Sequence, residues 1–263
     1  MPLLYGVFGP GNLGGSLLKC IHSVSITPPV FYHPREERCH ELRQIGKSVS
    51  IKALVTADVV FITVKPNMAE EACRVLRKAL VKLESHPLIV SVMAGVPLSY
   101  LQEKLGSKKV VRAMLDLSIE EYNGSGDIFV SNDPDLRTLC QTKLSPLGYV
   151  QFVPEEKIDP ITAVIGCGLA FVARFYQSYV ESAKKLGLSE DEDIEDNIMS
   201  LFNRTIVMVG HNSVHKLIDR VACKGGATER GLQHLDFDQQ LVDCMSVANN
   251  RCLEIRDEYL NKL

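Results

Sequence analysis

The residues of this chain best suited to chemistry stand in two glycine-rich turns. Gly9-Pro10-Gly11-Asn12-Leu13-Gly14 follows the apolar run Leu3 to Phe8 and opens an apolar helix through Leu17, Leu18 and Ile21. Gly9 permits the reversal from strand to helix, Gly11 lets a pyrophosphate approach the backbone, and Gly14 lets helix and strand pack closely. Free N–H groups at the helix start, around Asn12 and Leu13, favour an anion together with the helix dipole. A strand before and a helix after turn a weak pattern into a dinucleotide site. The second turn, Lys224-Gly225-Gly226-Ala227-Thr228-Glu229, also opens a helix, far along the chain.

Positioning the first turn requires a sheet. Pro29 to His33 reads as a second strand, and its end decides the cofactor. An enzyme that prefers NAD carries Asp or Glu there for the ribose diol, whereas His33 and Arg35 suit a 2′-phosphate, so NADPH is favoured over NADH. Ala57 to Val64 is a nearly all-apolar run of the kind a strand buried on both faces needs. It ends at Val64-Lys65-Pro66, where proline stops the ladder and launches a helix from Met68 to Leu80. Lys65 therefore stands at the carboxyl end of the sheet, where ligands of open α/β sheets bind. Pro87 to Met93 is another buried strand, and Ala94-Gly95 gives a small-residue loop beside the cofactor. Lys109 to Met114, Gly126 to Val130 and Tyr149 to Val153 complete the sheet, with a helix through Leu136, Leu139 and Leu144. This alternation implies right-handed crossovers and a Rossmann-type doubly wound α/β domain over residues 1–153.

From residue 154 the strand signals vanish, and residues 154–263 read as an all-α dimerisation domain. A long apolar helix spans 159 to 187, with Gly166, Gly168 and Ala170 near its start. Leu186-Gly187-Leu188-Ser189 reads as a C-cap followed by an N-cap, with Glu190 and Asp191 in the next first turn. That helix runs to about Val209 and breaks at Gly210-His211-Asn212; a last one covers about 238 to 260. An apolar helical half of this size commonly pairs with its twin.

Composition narrows the partners. Hydrophobic residues make up 46% and charged residues 23%, the net charge is -3, and the pI is about 6.2. Such a balance gives no electrostatic reason to expect nucleic acid or an anionic membrane. The 8 cysteines include no Cys-x-x-Cys pair, which argues against zinc and against a disulfide framework, and suits buried small hydrophobes. No basic-apolar leader precedes the first strand and no apolar run reads as long enough to span a bilayer, so a cytoplasmic protein is expected.

In order along the chain, these segments resemble pyrroline-5-carboxylate reductases. Gly9 to Gly14 is similar to the family's Gly-x-Gly-Asn-Met-Gly, Val64-Lys65-Pro66 matches its Val-Lys-Pro, and Ser91-Val92-Met93-Ala94-Gly95-Val96 its Ser-Val-x-Ala-Gly-Val. Asp159 with Thr162-Ala163, and Gly166 to Val172, resemble its Asp-Ala-Val-Thr-Ala and Gly-Ser-Gly-Pro-Ala-Tyr-Val. Lys185-Leu186-Gly187-Leu188 is matched directly, and Cys223-Lys224-Gly225-Gly226-Ala227-Thr228 stands where the family has Ser-Pro-Gly-Gly-Thr/Ala-Thr.

The resemblance implies subunits whose helical halves interlock into homodimers, which can assemble into larger rings, with the site between cofactor and partner subunit. It implies hydride transfer from NADPH to the imine carbon of 1-pyrroline-5-carboxylate, giving L-proline, with no metal. The loop at Gly225, Gly226, Ala227 and Thr228 would hold the substrate carboxylate, and the Thr228 hydroxyl would serve the imine nitrogen. Departures cluster at the substrate end. The family's Met-Pro-Asn-Thr-Pro becomes Met114-Leu115-Asp116-Leu117-Ser118, where Asp116 would repel a carboxylate, and its Ser-Pro becomes Cys223-Lys224, where Lys224 would attract one. A reductase of another cyclic imine, or a non-catalytic NADP-binding dimeric relative, are the alternatives.

Overall fold

The computed structural model describes residues 2–121, 124–188, 193–211 and 213–263; Ser189, Glu190, Asp191 and Asn212, named above as helix-end residues, lie outside them. The strands are β1 (Tyr5–Phe8), β2 (Val30–Tyr32), β3 (Lys47–Ser48), β4 (Val59–Ile62), β5 (Leu88–Ser91), β6 (Val110–Met114), β7 (Asp127–Ser131) and β8 (Tyr149–Val153). The first helices are α1 (Asn12–Val24), α2 (Glu36–Leu42), α3 (Ile51–Leu54), α4 (Ala69–Leu80), α5 (Leu98–Leu105) and α6 (Arg137–Leu144). They are followed by α7 (Glu155–Ile161), α8 (Gly168–Lys185), α9 (Ile194–His211), α10 (Val214–Val221), α11 (Ala227–Leu232) and α12 (Asp238–Leu260).

One sheet runs in the order β3-β2-β1-β4-β5-β6-β7-β8. The first six strands are parallel, so the glycine turn after β1 and the loops after β2, β4 and β5 share one edge. β4 shows why its sequence is apolar throughout: Val59 and Phe61 face the layer of α1, with Leu17, Leu18 and Ile21, while Val60 and Ile62 face α4 and α5. Uniform right-handed crossovers were expected, but β7 runs antiparallel to β6, and β8 is parallel to β7. Among the described residues, the link between β6 and β7 holds a 3₁₀ turn at Leu117–Glu120 and no crossover helix, and the chain returns antiparallel.

Contacts divide the chain into two units, residues 1–166 with 247–263, and residues 167–246. This division differs from a boundary at 153/154, because α7 and the end of α12 pack with the sheet. Ile158 packs on Met114 and Phe129, and Asp159 forms a buried ion pair with Arg112. Tyr259 lies against Tyr100 with ring centroids 4.7 Å apart, and its hydroxyl donates to the Pro66 carbonyl at 2.5 Å. Helical periodicity reveals an apolar face but not which partner covers it.

The second unit is helical, with Val180, Ala183 and Ile198 buried against Tyr176 and Phe202. Val172, Ile206 and Val207 stand exposed on it. One expectation is corrected here. By length and composition alone, the continuous helix from Glu155 to Lys185 is long and apolar enough to cross a membrane. In the sequence its uncharged run from Pro160 to Ala173 is bounded by Asp159 and Arg174, and the helix carries on through both.

Candidate functional site

The glycine turn has the geometry its sequence requires. Gly9 adopts φ +71°, where a Cβ would fall 2.2 Å from Val64 Cγ1, and its N–H donates to Tyr32 O at 2.9 Å. Gly14 faces Thr63, whose Oγ1 would lie 2.4 Å from a Cβ, so the third glycine is demanded by the approach of α1 to β4. Gly11 is different: nothing stands within 4 Å of where its Cβ would be. It is the N-cap of α1 and supplies no side chain to the helix's first N–H groups. An open backbone beside uncapped donors fits a pyrophosphate.

Beside it lies a cavity of about 290 Å³ lined by Gly11, Asn12, Arg35, Glu37, Arg38 and Glu41. Arg35 is the N-cap of α2, and its N–H donates to His33 Nδ1 at 3.1 Å. Partial burial lowers the proton affinity of His33, and the charges of Arg35 and Arg38 push it the same way. By accepting the Arg35 N–H, the His33 imidazole orders the turn, and the two guanidiniums supply the charge. Arg38 escaped the sequence reading. It donates from Nη2 to Gly11 O at 3.2 Å and from Nε to Pro10 O at 3.4 Å, and pairs with Glu41 at 2.5 Å. Its signal was a second arginine three residues after Arg35, which a helix brings to the same face.

At the end of β4, Val64 supports Gly9 and Lys65 is exposed, heading the Pro66–Met68 turn. The Pro66 carbonyl is engaged by Tyr259. After β5, Ala94 is half-buried, whereas Gly95 is buried, at φ +74°, with its N–H donating to Asp159 Oδ1 at 3.2 Å. A Cβ on Gly95 would fall 2.5 Å from Cys252 O and 2.7 Å from Ile255, so this glycine seats the end of α12. The partner of Gly95 belongs to a buried polar group that sequence reasoning also missed. Arg112, Asp159 and Glu155 are joined by contacts of 2.5 and 3.4 Å, and the visible signal was a lone arginine inside the apolar strand β6.

The substrate-end departures find local explanations. Leu115 is core, and Asp116 Oδ1 accepts from Ser118 N at 2.8 Å and Ser118 Oγ at 2.5 Å, capping the turn after β6. In the second unit, Gly225 adopts φ +75° and Gly226 is the N-cap of α11, with no side-chain cap on the helix's first N–H groups. Glu229 Oε2 accepts from Gly225 N at 2.6 Å, so the first amide of this loop is already engaged. Ala227 and Thr228 are exposed.

A dinucleotide turn heading a doubly wound sheet, followed by a helical unit with its own glycine loop, defines an NADP-type oxidoreductase of two-unit construction. Residues 4–95 match the model for NADP oxidoreductase, coenzyme F420-dependent, and residues 155–255 match pyrroline-5-carboxylate reductase dimerisation. The dimerisation match covers the long apolar helix. The chain is 29% identical to the pyrroline-5-carboxylate reductase of Staphylococcus saprophyticus over 95% of its length and 97% of that protein's. Against the Staphylococcus haemolyticus enzyme of the same name it is 26% identical over 94% and 96%. In fold it superposes on the Plasmodium falciparum pyrroline carboxylate reductase with NADP bound, at a TM-score of 0.83 and 21% identity, covering 97% and 98% of the two chains. Along almost its whole length the chain is therefore similar to pyrroline-5-carboxylate reductases.

Proposed function

We propose that the protein reduces 1-pyrroline-5-carboxylate to L-proline with NADPH, the terminal step of proline biosynthesis. The observation that carries this reading is the end-to-end match to curated reductases, with 95% of this chain and 97% of the relative aligned. Gly9, Gly11, Asn12, Leu13 and Gly14 seat the pyrophosphate, and Arg35 and Arg38, with His33 ordering their turn, hold the 2′-phosphate. Bound NADPH supplies the hydride that reaches the imine carbon. The first-turn N–H groups of α11 hold the substrate carboxylate, with Lys224 adding charge at the same loop. Thr228 offers its hydroxyl to the imine nitrogen and holds or relays the proton that the amine keeps. The exposed apolar side chains of the helical unit, Val172, Ile206 and Val207 among them, become the homodimer interface, and rings of dimers extend the same assembly. Eight free cysteines suit a reducing compartment such as the cytoplasm.

The test follows NADPH absorbance as the imine is added; no turnover at saturating concentrations overturns the reading. Thr228→Ala is expected to lower kcat about 100-fold while NADPH binding, followed by fluorescence, stays unchanged.

A further inference from the structure

We propose that Glu155 and Asp159, joined by Arg112, are positioning residues that fix the segment 94–98, which borders the nicotinamide end of the bound cofactor. The inference rests on the reading that this chain binds NADPH.

Arg112 is fully buried in the middle of β6. Its guanidinium meets Asp159 through Nη2 to Oδ1 at 2.5 Å and Nη1 to Oδ2 at 3.4 Å, and Nη1 also reaches Glu155 Oε1 at 3.4 Å. The two carboxylates lie four residues apart on α7 and so share one helix face. Each also accepts a backbone N–H from the segment after β5. Asp159 Oδ1 takes Gly95 N at 3.2 Å, and Glu155 Oε1 takes Leu98 N at 2.8 Å. Leu98 is the first residue of α5, so its N–H has no partner within the helix. Both ends of the 95–98 turn are therefore tied to one charged cluster, and Ser131 Oγ accepts from Arg112 N at 2.9 Å to anchor that cluster to β7.

Stability alone explains this arrangement poorly. A buried ion pair barely repays its desolvation when compared with apolar side chains of the same volume. A fixed geometry is what the cluster provides and apolar packing would not. Its location gives that geometry a use. In the order β2-β1-β4-β5, the phosphate-reading cavity lies beside the β1 and β2 turns, and a dinucleotide laid across the carboxyl ends of the strands carries its other half toward β4 and β5. The tethered segment is the one that follows β5.

Glu155 is the member to vary, because its side chain is 37% exposed and its loss leaves Asp159 on Arg112. Two ligands are titrated into the full chain: NADPH by fluorescence, and adenosine 2′,5′-bisphosphate, which carries only the adenosine half, by calorimetry. Glu155→Ala is expected to weaken NADPH on the order of tenfold and to leave the bisphosphate within about twofold, since a misplaced loop costs only the half it borders. Glu155→Gln keeps an acceptor for Leu98 N and is expected to restore NADPH binding to within about threefold of the wild type. Unchanged NADPH affinity in Glu155→Ala, an equal loss for both ligands, or a glutamine variant as weak as the alanine variant overturns the proposal. A wild type that binds NADPH but leaves the imine untouched overturns the function proposed above and leaves this comparison intact.

Discussion

Replacing Gly9 with alanine tests the physical basis of the cofactor turn, and its cost can be worked from two independent sources. At φ +71° an L side chain is strained by roughly 1–2 kcal/mol. The new Cβ would also fall 2.2 Å from Val64 Cγ1, less than any real carbon contact, and relieving such a clash typically costs about 1–3 kcal/mol. Together Gly9→Ala should destabilise the protein by roughly 2–5 kcal/mol, a large share of the 5–15 kcal/mol usual for a domain. The two sources separate in a double-mutant cycle. Val64→Ala removes the clashing methyl and by itself costs about 1–2 kcal/mol as a half-buried truncation. In the double variant the clash is gone while the φ strain remains, so the combined loss should fall short of the sum by about 1–3 kcal/mol. Urea unfolding at one fixed protein concentration measures all four proteins, because a dimer's midpoint depends on concentration. Additivity within about 0.5 kcal/mol would show that Val64 does not constrain Gly9 and would refute the reasoning.

Further tests address the phosphate end and the thiols. Arg35→Ala should raise the Kd for NADPH about tenfold and leave that for NADH unchanged, whereas Arg38→Ala should weaken both, since Arg38 also holds the carbonyls of Pro10 and Gly11. Equal effects of Arg35→Ala on the two cofactors in a fluorescence titration would remove it from the 2′-phosphate site. Burial pushes the thiols of Cys73 and Cys140 up to about 12, while Cys223 is exposed. A thiol reagent near pH 8 should therefore modify Cys223 quickly and reach Cys73 and Cys140 only on unfolding, as mapped by mass spectrometry.

The nucleotide half of this protein was legible in its sequence because its determinants are local. Gly9, Gly11 and Gly14 are fixed by one turn and one helix start, and the apolar runs of β4 and β5 declare strands buried on both faces. His33 and Arg35 were visible because they follow a strand end. Tertiary structure decided what depends on residues far apart in sequence. It placed Arg38 across the glycine turn, engaged the N–H of Gly95 with Asp159, and set Asp116 to capping its own turn. It also assigned α7 and the end of α12 to the sheet, through an ion pair and an aromatic contact that periodicity cannot encode. The physical reason is common to these cases. A local pattern states which groups are apolar, charged or free to turn, but the partner that satisfies a buried charge or a spare N–H is chosen only when distant segments close on one another.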